Sequence, residues 1–231
     1  MNLTERQKQQ ASFIYMMLGG IFIASLVACN LIFQKFFTWS PLGIYTFEIS
    51  VGILPYPITF LVTDIISEVY GRKKADRVVF AGLLASVFVL GVVTLADAVP
   101  ATSWSPVDND RFTSVFGLTG SAVGASMLAY LTAQFIDVRL FHFWKRLTKG
   151  KHLWFRNNFS TATSQLVDTG TVLLFLCFAG AIEWSRFDQL LINGFLFKVL
   201  VALFDTPLLY LFTWLFRRHF GLKGAEEIQI H

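Results

Sequence analysis

The sequence predicts an all-α membrane protein: six transmembrane helices, a Pro-interrupted second span and both termini in the cytoplasm. Three observations lead there. The chain is 55% hydrophobic and only 15% charged, whereas a soluble domain carries about 25% charged residues. Six apolar stretches reach the ~20 residues that crossing a bilayer requires. The basic residues also divide unequally between alternate connections, as they do across a membrane.

The spans read 12–33, 43–69, 78–98, 118–140, 159–182 and 189–214. The first follows a polar N-terminus that lacks a cleavage signature, so it is expected to be retained as a helix. The second carries Pro55 and Pro57, through which a helix cannot keep its hydrogen-bond ladder. Interrupted helices of this kind build ligand sites in transporters, and a simple kink between packed helices is the bland alternative. The loop 99–117 mixes Trp104, Pro106, Asp108, Asp110 and Arg111 and suggests an interfacial segment. The loop 141–158 is basic and aromatic, a belt suited to lipid headgroups. One membrane domain, 1–231, is expected.

With the N-terminus inside, 15 of the 19 Lys and Arg residues fall on the inner side and three, Lys35, Arg111 and Arg186, on the outer. Lys198 lies within the last span and needs a partner, for which Glu48 is a candidate at similar depth. The same location of charge argues against nucleic acid as a partner, despite a formal charge of +4. The partners expected are a small-molecule solute and the lipid bilayer, and a homo-oligomer is open to the chain.

The spans contain polar residues that hydrocarbon disfavours. A carboxylate at the bilayer centre costs about 2.5–3.5 kcal/mol on insertion scales and is tolerated where a pathway or ligand needs it. Asp64 is such a residue, and a basic knot of Arg72, Lys73, Lys74 and Arg77 closes its span. Thr132-x-Gln134-x-x-Asp137 in the fourth span recurs as Thr163-x-Gln165-x-x-Asp168 in the fifth. Each copy puts Gln and Asp on one helix face. Counting back from the inner ends places Asp64, Gln134, Asp137, Gln165, Asp168 and Asp205 in one layer, roughly 8–15 Å from the cytoplasmic surface. Four helices contributing to one depth suggest one substrate site. Glu68 joins it one turn from Asp64, with pairing to Arg72 or Lys73 as the blander reading. Asn30 is a further candidate, against the commoner role of a helix–helix hydrogen bond.

Carboxylates and amides supply acceptors and a donor–acceptor edge, and abundant Phe, Tyr and Trp supply flat stacking surfaces. The combination suits a planar heterocycle rich in hydrogen-bonding groups. It does not by itself choose between purine-like solutes, amines and metal ions. Cys29 and Cys177 read as small core hydrophobes. His142, His152, His219 and His231 fall in loops or the tail. No metal site, cofactor or catalytic residue is expected, and no Walker motif, His-Glu-x-x-His helix or Gly-x-Ser-x-Gly elbow occurs.

Four motifs carry a resemblance. They are Pro57-x-Thr59-Phe60-x-x-Thr63-Asp64-x-x-x-Glu68-x-Tyr70-Gly71, Gln134-x-x-Asp137-Val138, Trp154-x-Arg156-Asn157-Asn158-x-Ser160-Thr161, and Gln165-x-x-Asp168-Thr169. Together the chain resembles the queuosine precursor transporter family, also called the vitamin uptake transporter family, over most of residues 20–215. The resemblance implies a six-span inner-membrane carrier that brings 7-cyano-7-deazaguanine or its aminomethyl relative into the bacterial cytoplasm for tRNA modification. It implies no enzyme activity. Two other readings stay open: the substrate-binding subunit of an ATP-driven uptake system, and an intramembrane enzyme.

Overall fold

The computed structural model describes residues 4–33, 35–43, 45–116, 120–178, 180, 182–223 and 226–229. Residues 44, 118, 119, 179 and 181, which fall within the predicted spans, and His231 lie outside that set.

Thr4 opens the first helix, α1 (Glu5–Ile32), with a capping box: its hydroxyl accepts from the Gln7 N–H, and the Gln7 side chain accepts from the Thr4 N–H. A two-stranded antiparallel hairpin follows, β1 (Phe36–Trp39) paired with β2 (Phe47–Ser50) in the register Phe37 to Ile49 and Thr38 to Glu48. It replaces the start of the predicted second span, a departure from an all-α fold. The reason is local. Phe47 and Ile49 are buried while Glu48 between them is exposed, the two-residue alternation of a half-buried strand. Phe47 also packs edge-on against Phe197 and Tyr45.

A single 3-10 turn, Val51–Ile53, leads into α2 (Tyr56–Val69). Pro55 caps this helix and Pro57 lies in its first turn. A missing N–H is harmless there because those amides have no intrahelical acceptor. The prolines thus begin a short helix part-way through the bundle. Gly71, at φ +83°, turns the chain into α3 (Arg72–Ala98). A small exposed helix, α4 (Asn109–Phe116), lies in the following connection. Three long helices complete the chain: α5 (Gly120–Leu147), α6 (Leu153–Phe178) and α7 (Phe187–Phe220). Both α5 and α7 run past their apolar spans and take in His142 and His219, which the sequence reading put in loops. Lys145 and Arg146 end α5, and Arg217 and Arg218 end α7, where cations favour the helix dipole.

α5 packs on α6 and α6 on α7, while α2 is held among α1, α3, α5 and α7. The main core joins Phe22, Leu26, Phe60, Ile66, Val79, Phe141 and Leu209. Five stretches among the described residues are long and apolar enough to cross a membrane. Large apolar side chains such as Phe88, Leu95, Phe178 and Phe204 point outward from α3, α6 and α7, as they do toward lipid.

The two ends of the chain meet at one end of the bundle. The Tyr70 hydroxyl donates to the Ala11 carbonyl, and the Tyr15 hydroxyl to that of Lys74. The tail returns there as well: the Ile228 N–H donates to the Val69 carbonyl at 2.8 Å. This basic end lies opposite the hairpin end.

Candidate functional site

Three helices line a narrow cavity at mid-bundle, with a volume of about 20 Å³. From α2 come Tyr56, Pro57, Phe60, Leu61 and Asp64; from α6, Asn157, Thr161 and Gln165; from α7, Phe197, Lys198, Val201, Ala202 and Asp205. The α6 residues stand at i, i+4 and i+8, one polar stripe down a single face. Tyr56, Phe60 and Phe197 provide flat apolar wall. Pro207 lies two residues beyond Asp205 within α7, and it has no N–H to offer the Leu203 carbonyl.

The polar atoms have uneven support. Gln165 is 1% exposed, yet neither its Oε1 nor its Nε2 meets a partner among the described residues, and the Asn157 Oδ1 is likewise unpaired. Buried polar atoms are nearly always paired in native structures, so this amide has both a donor and an acceptor free for a guest in the cavity. Asp64 is buried at 3% exposure and lies close enough to Asp137, Asp205 and the Arg156 guanidinium for their charges to interact. None of these three carboxylates forms an ion pair among the described residues. The cavity therefore presents two carboxyl groups, Asp64 and Asp205, beside the amides, which suits solutes rich in N–H groups.

Gln134 and Asp137 stand behind this cavity, both fully buried on α5. The Thr63 hydroxyl lies 3.4 Å from the Gln134 Oε1, and the Gln134 Nε2 lies 3.5 Å from the Thr59 hydroxyl. Asp137 accepts from the Ser164 hydroxyl at 3.1 Å, with Ser160 and Thr161 beside it. These two residues thus connect α5 to the α2 and α6 walls.

Asp168 is on the hairpin side of the cavity, where Lys198 holds it at 2.6 Å and the Tyr56 hydroxyl donates to it at 2.5 Å. This corrects the expected Lys198–Glu48 pairing. Glu48 faces Thr38 across the hairpin, whereas α6 packs directly on α7 and brings Asp168 to the lysine. Asp168 and Lys198 line a second, larger cleft at the hairpin end, together with Cys29, Asn30 and Glu48. Asn30 lies there with its Nδ2 unpaired among the described residues, outside the cavity that the α6 stripe lines.

Glu68 is at the basic end and is not part of the cavity lining. The sequence favoured Arg72 or Lys73 as its partner, but Arg72 pairs with Asp76 at 3.5 Å. Glu68 is ringed by Arg217 at 2.5 Å, Arg156 at 3.2 Å and Lys145 at 3.5 Å. A second carboxylate, Glu227 of the returning tail, holds Lys145 at 3.0 Å. One buried acid thus ties α2 to α5, α6 and α7.

Sequence reasoning did not single out Asn157, Thr161, Tyr56 or Phe197 as site residues. The first two stand at four-residue intervals with Gln165, a signal present in the sequence. The two aromatics carry no such mark among so many others.

A bundle of long apolar helices around an amide-bearing cavity defines a multi-pass membrane protein. Comparison narrows the class. Residues 50–212 match the family model described as "Putative vitamin uptake transporter". The chain is 31% identical over 165 residues to the "Probable queuosine precursor transporter" of Bacillus subtilis, covering 70% of each. It is 24% identical over 166 residues to the "Queuosine precursor transporter" of Escherichia coli, covering 71% of this chain and 72% of that one. No solved structure matches the chain. The chain belongs to the vitamin uptake transporter family and is a multi-pass protein of the bacterial inner membrane.

Proposed function

We propose that this protein imports a queuosine precursor, 7-cyano-7-deazaguanine or its aminomethyl relative, for tRNA modification. The observation that carries the reading is the unpaired Gln165 amide, which shares an aromatic-walled cavity with Asp64 and Asp205. A deazaguanine ring presents adjacent N–H groups and a carbonyl along one edge. A carboxylate accepts two N–H bonds, and the amide offers one donor and one acceptor. Tyr56, Phe60 and Phe197 suit the faces of the ring. The names of both relatives agree with this class of solute.

In this reading the whole chain is one transport domain with α5 as its sixth span. The basic end faces the cytoplasm, which puts both termini inside. Asp64, Gln165 and Asp205 contact the solute, with Asn157 and Thr161 beside them. Gln134 and Asp137 support that wall, Asp168 and Asn30 serve the hairpin side, and Glu68 holds the basic end together. The solute is moved without chemical change.

The test is uptake of radiolabelled precursor by cells that cannot synthesise it and that express this chain as their sole carrier. Accumulation of unaltered precursor is expected. Absence of uptake with the protein present in the membrane would overturn the reading. Uptake that requires a co-expressed ATPase would favour the ATP-driven alternative, and recovery of an altered compound would favour an enzyme.

A further inference from the structure

The mid-bundle cavity and the hairpin-side cleft have three residues in common: Ile53, Tyr56 and Lys198. Two of them belong to a compact polar bridge with Asp168. The Lys198 ammonium donates to the Asp168 carboxylate at 2.6 Å and to the Thr169 hydroxyl at 3.0 Å, and lies 3.3 Å from the Tyr56 hydroxyl. The Tyr56 hydroxyl donates to the same carboxylate oxygen. The ammonium also sits 4.4 Å from the centroid of the Tyr56 ring. The bridge therefore draws one residue from each of α2, α6 and α7, the helices that line the cavity.

We infer that the Asp168–Lys198–Tyr56 bridge is the gate between the solute cavity and the hairpin-side cleft, and that Lys198 is the residue whose release opens it. The partition is one layer of side chains thick, since Tyr56 and Lys198 face both spaces. Its chemistry suits a door. While water is excluded, the weak local screening strengthens the ion pair. Once the cleft hydrates, both charges are solvated and their separation costs little. An apolar plug would instead meet its largest penalty when open. The two ends of the cavity also differ in strength. Opening the basic end parts Glu68 from three cations, and Lys145 from Glu227 as well. Opening the hairpin side parts one ion pair. Gln165 precedes Asp168 by three residues on α6, so a solute on that amide abuts the bridge. This last link alone rests on the proposed reading of the cavity.

The test uses the full chain in lipid nanodiscs with Cys29→Ser and Cys177→Ser. Ala202→Cys, which lines the cavity, is the reporter, and its modification by a trimethylammonium methanethiosulfonate is timed without any solute present. Asp168→Asn and Lys198→Met are each expected to raise the labelling rate by at least about tenfold, the change expected when a gate loses its main closing contact. The exchanged pair Asp168→Lys with Lys198→Asp is expected to return the rate toward that of the parent. Rates unchanged by the single substitutions, or raised but not restored by the exchange, would overturn the gate. Ser86→Cys, buried on α3 outside both spaces, reports unfolding. Where a single variant labels there too, the neutral pair Asp168→Asn with Lys198→Met replaces it and is read by the same criterion. Because no solute is used, the result is independent of what the cavity carries.

Discussion

Glu68→Gln removes one charge and keeps the side chain's size, and the structure allows its effect to be sized. The Glu68 side chain is 3% exposed, with Arg156 at 1%, Lys145 at 8% and Arg217 at 24%. After the substitution Lys145 retains Glu227 at 3.0 Å, and Arg217 can turn toward water. Arg156 can do neither. Its ring contact, 5.1 Å from guanidinium to the Phe141 centroid, remains but does not neutralise it. One buried cation thus loses its direct partner and keeps only the more distant charge of Asp64, which costs up to about 3–5 kcal/mol. That is a large part of a typical total stability of about 5–15 kcal/mol. At about 2–4 °C per kcal/mol for a chain of this size, the melting temperature should fall by about 6–20 °C. The assay is thermal unfolding of purified protein in nanodiscs, beside the amount reaching the membrane in cells. Arg217→Gln, which removes the most exposed of the three cations, should cost less. A Glu68→Gln protein melting within about 2 °C of the parent, at parental abundance, would refute the reasoning.

Asp64→Asn should behave in the opposite way. Asp64 forms no ion pair among the described residues, so the variant should reach the membrane at normal levels yet lose precursor uptake; normal uptake would remove Asp64 from the site. Gly52→Ala should destabilise the fold, because a β-carbon there would lie 2.8 Å from the Cys29 carbonyl oxygen and 2.9 Å from the Phe33 Cα. Backbone cannot step aside as a side-chain tip can, so about 1–3 kcal/mol is expected, read as a lowered melting temperature. An unchanged melting temperature would mean that the turn Val51–Ile53 is not docked tightly on the end of α1.

Much of the bundle was legible because bilayer-length apolar runs leave few alternatives. The burial of Gln134, Asp137, Gln165 and Asp168 was legible because a three-residue spacing puts each pair on one face. Thr132 and Thr163 of the same motifs fall on the exposed side. The hairpin was hidden for a physical reason. Phe47-Glu48-Ile49-Ser50 joins an apolar run, and four residues are too few for period two to compete with a helix-length reading. The prolines read as an interruption within a span, whereas they stand at the start of α2; a break and a helix start look alike until the preceding strand is known. Pairings between helices were the least legible. Depth counting offered Glu48 to Lys198, yet it carries no information about which helices are neighbours, and the neighbour is α6. For the same reason Glu68 was given partners close in sequence, while those it has lie on α5, α6 and α7.

Equilibrium binding of labelled 7-cyano-7-deazaguanine to the purified protein in nanodiscs tests the solute site most directly, comparing the parent with Gln165→Leu and Thr163→Val. Gln165 faces the cavity, and Thr163 points outward from the same helix with its hydroxyl on the Phe159 carbonyl. Loss of two hydrogen bonds at about 0.5–1.5 kcal/mol each should weaken binding by about 5–150-fold in Gln165→Leu. Thr163→Val should bind as the parent does. Equal affinity in the parent and in a folded Gln165→Leu protein would contradict the account.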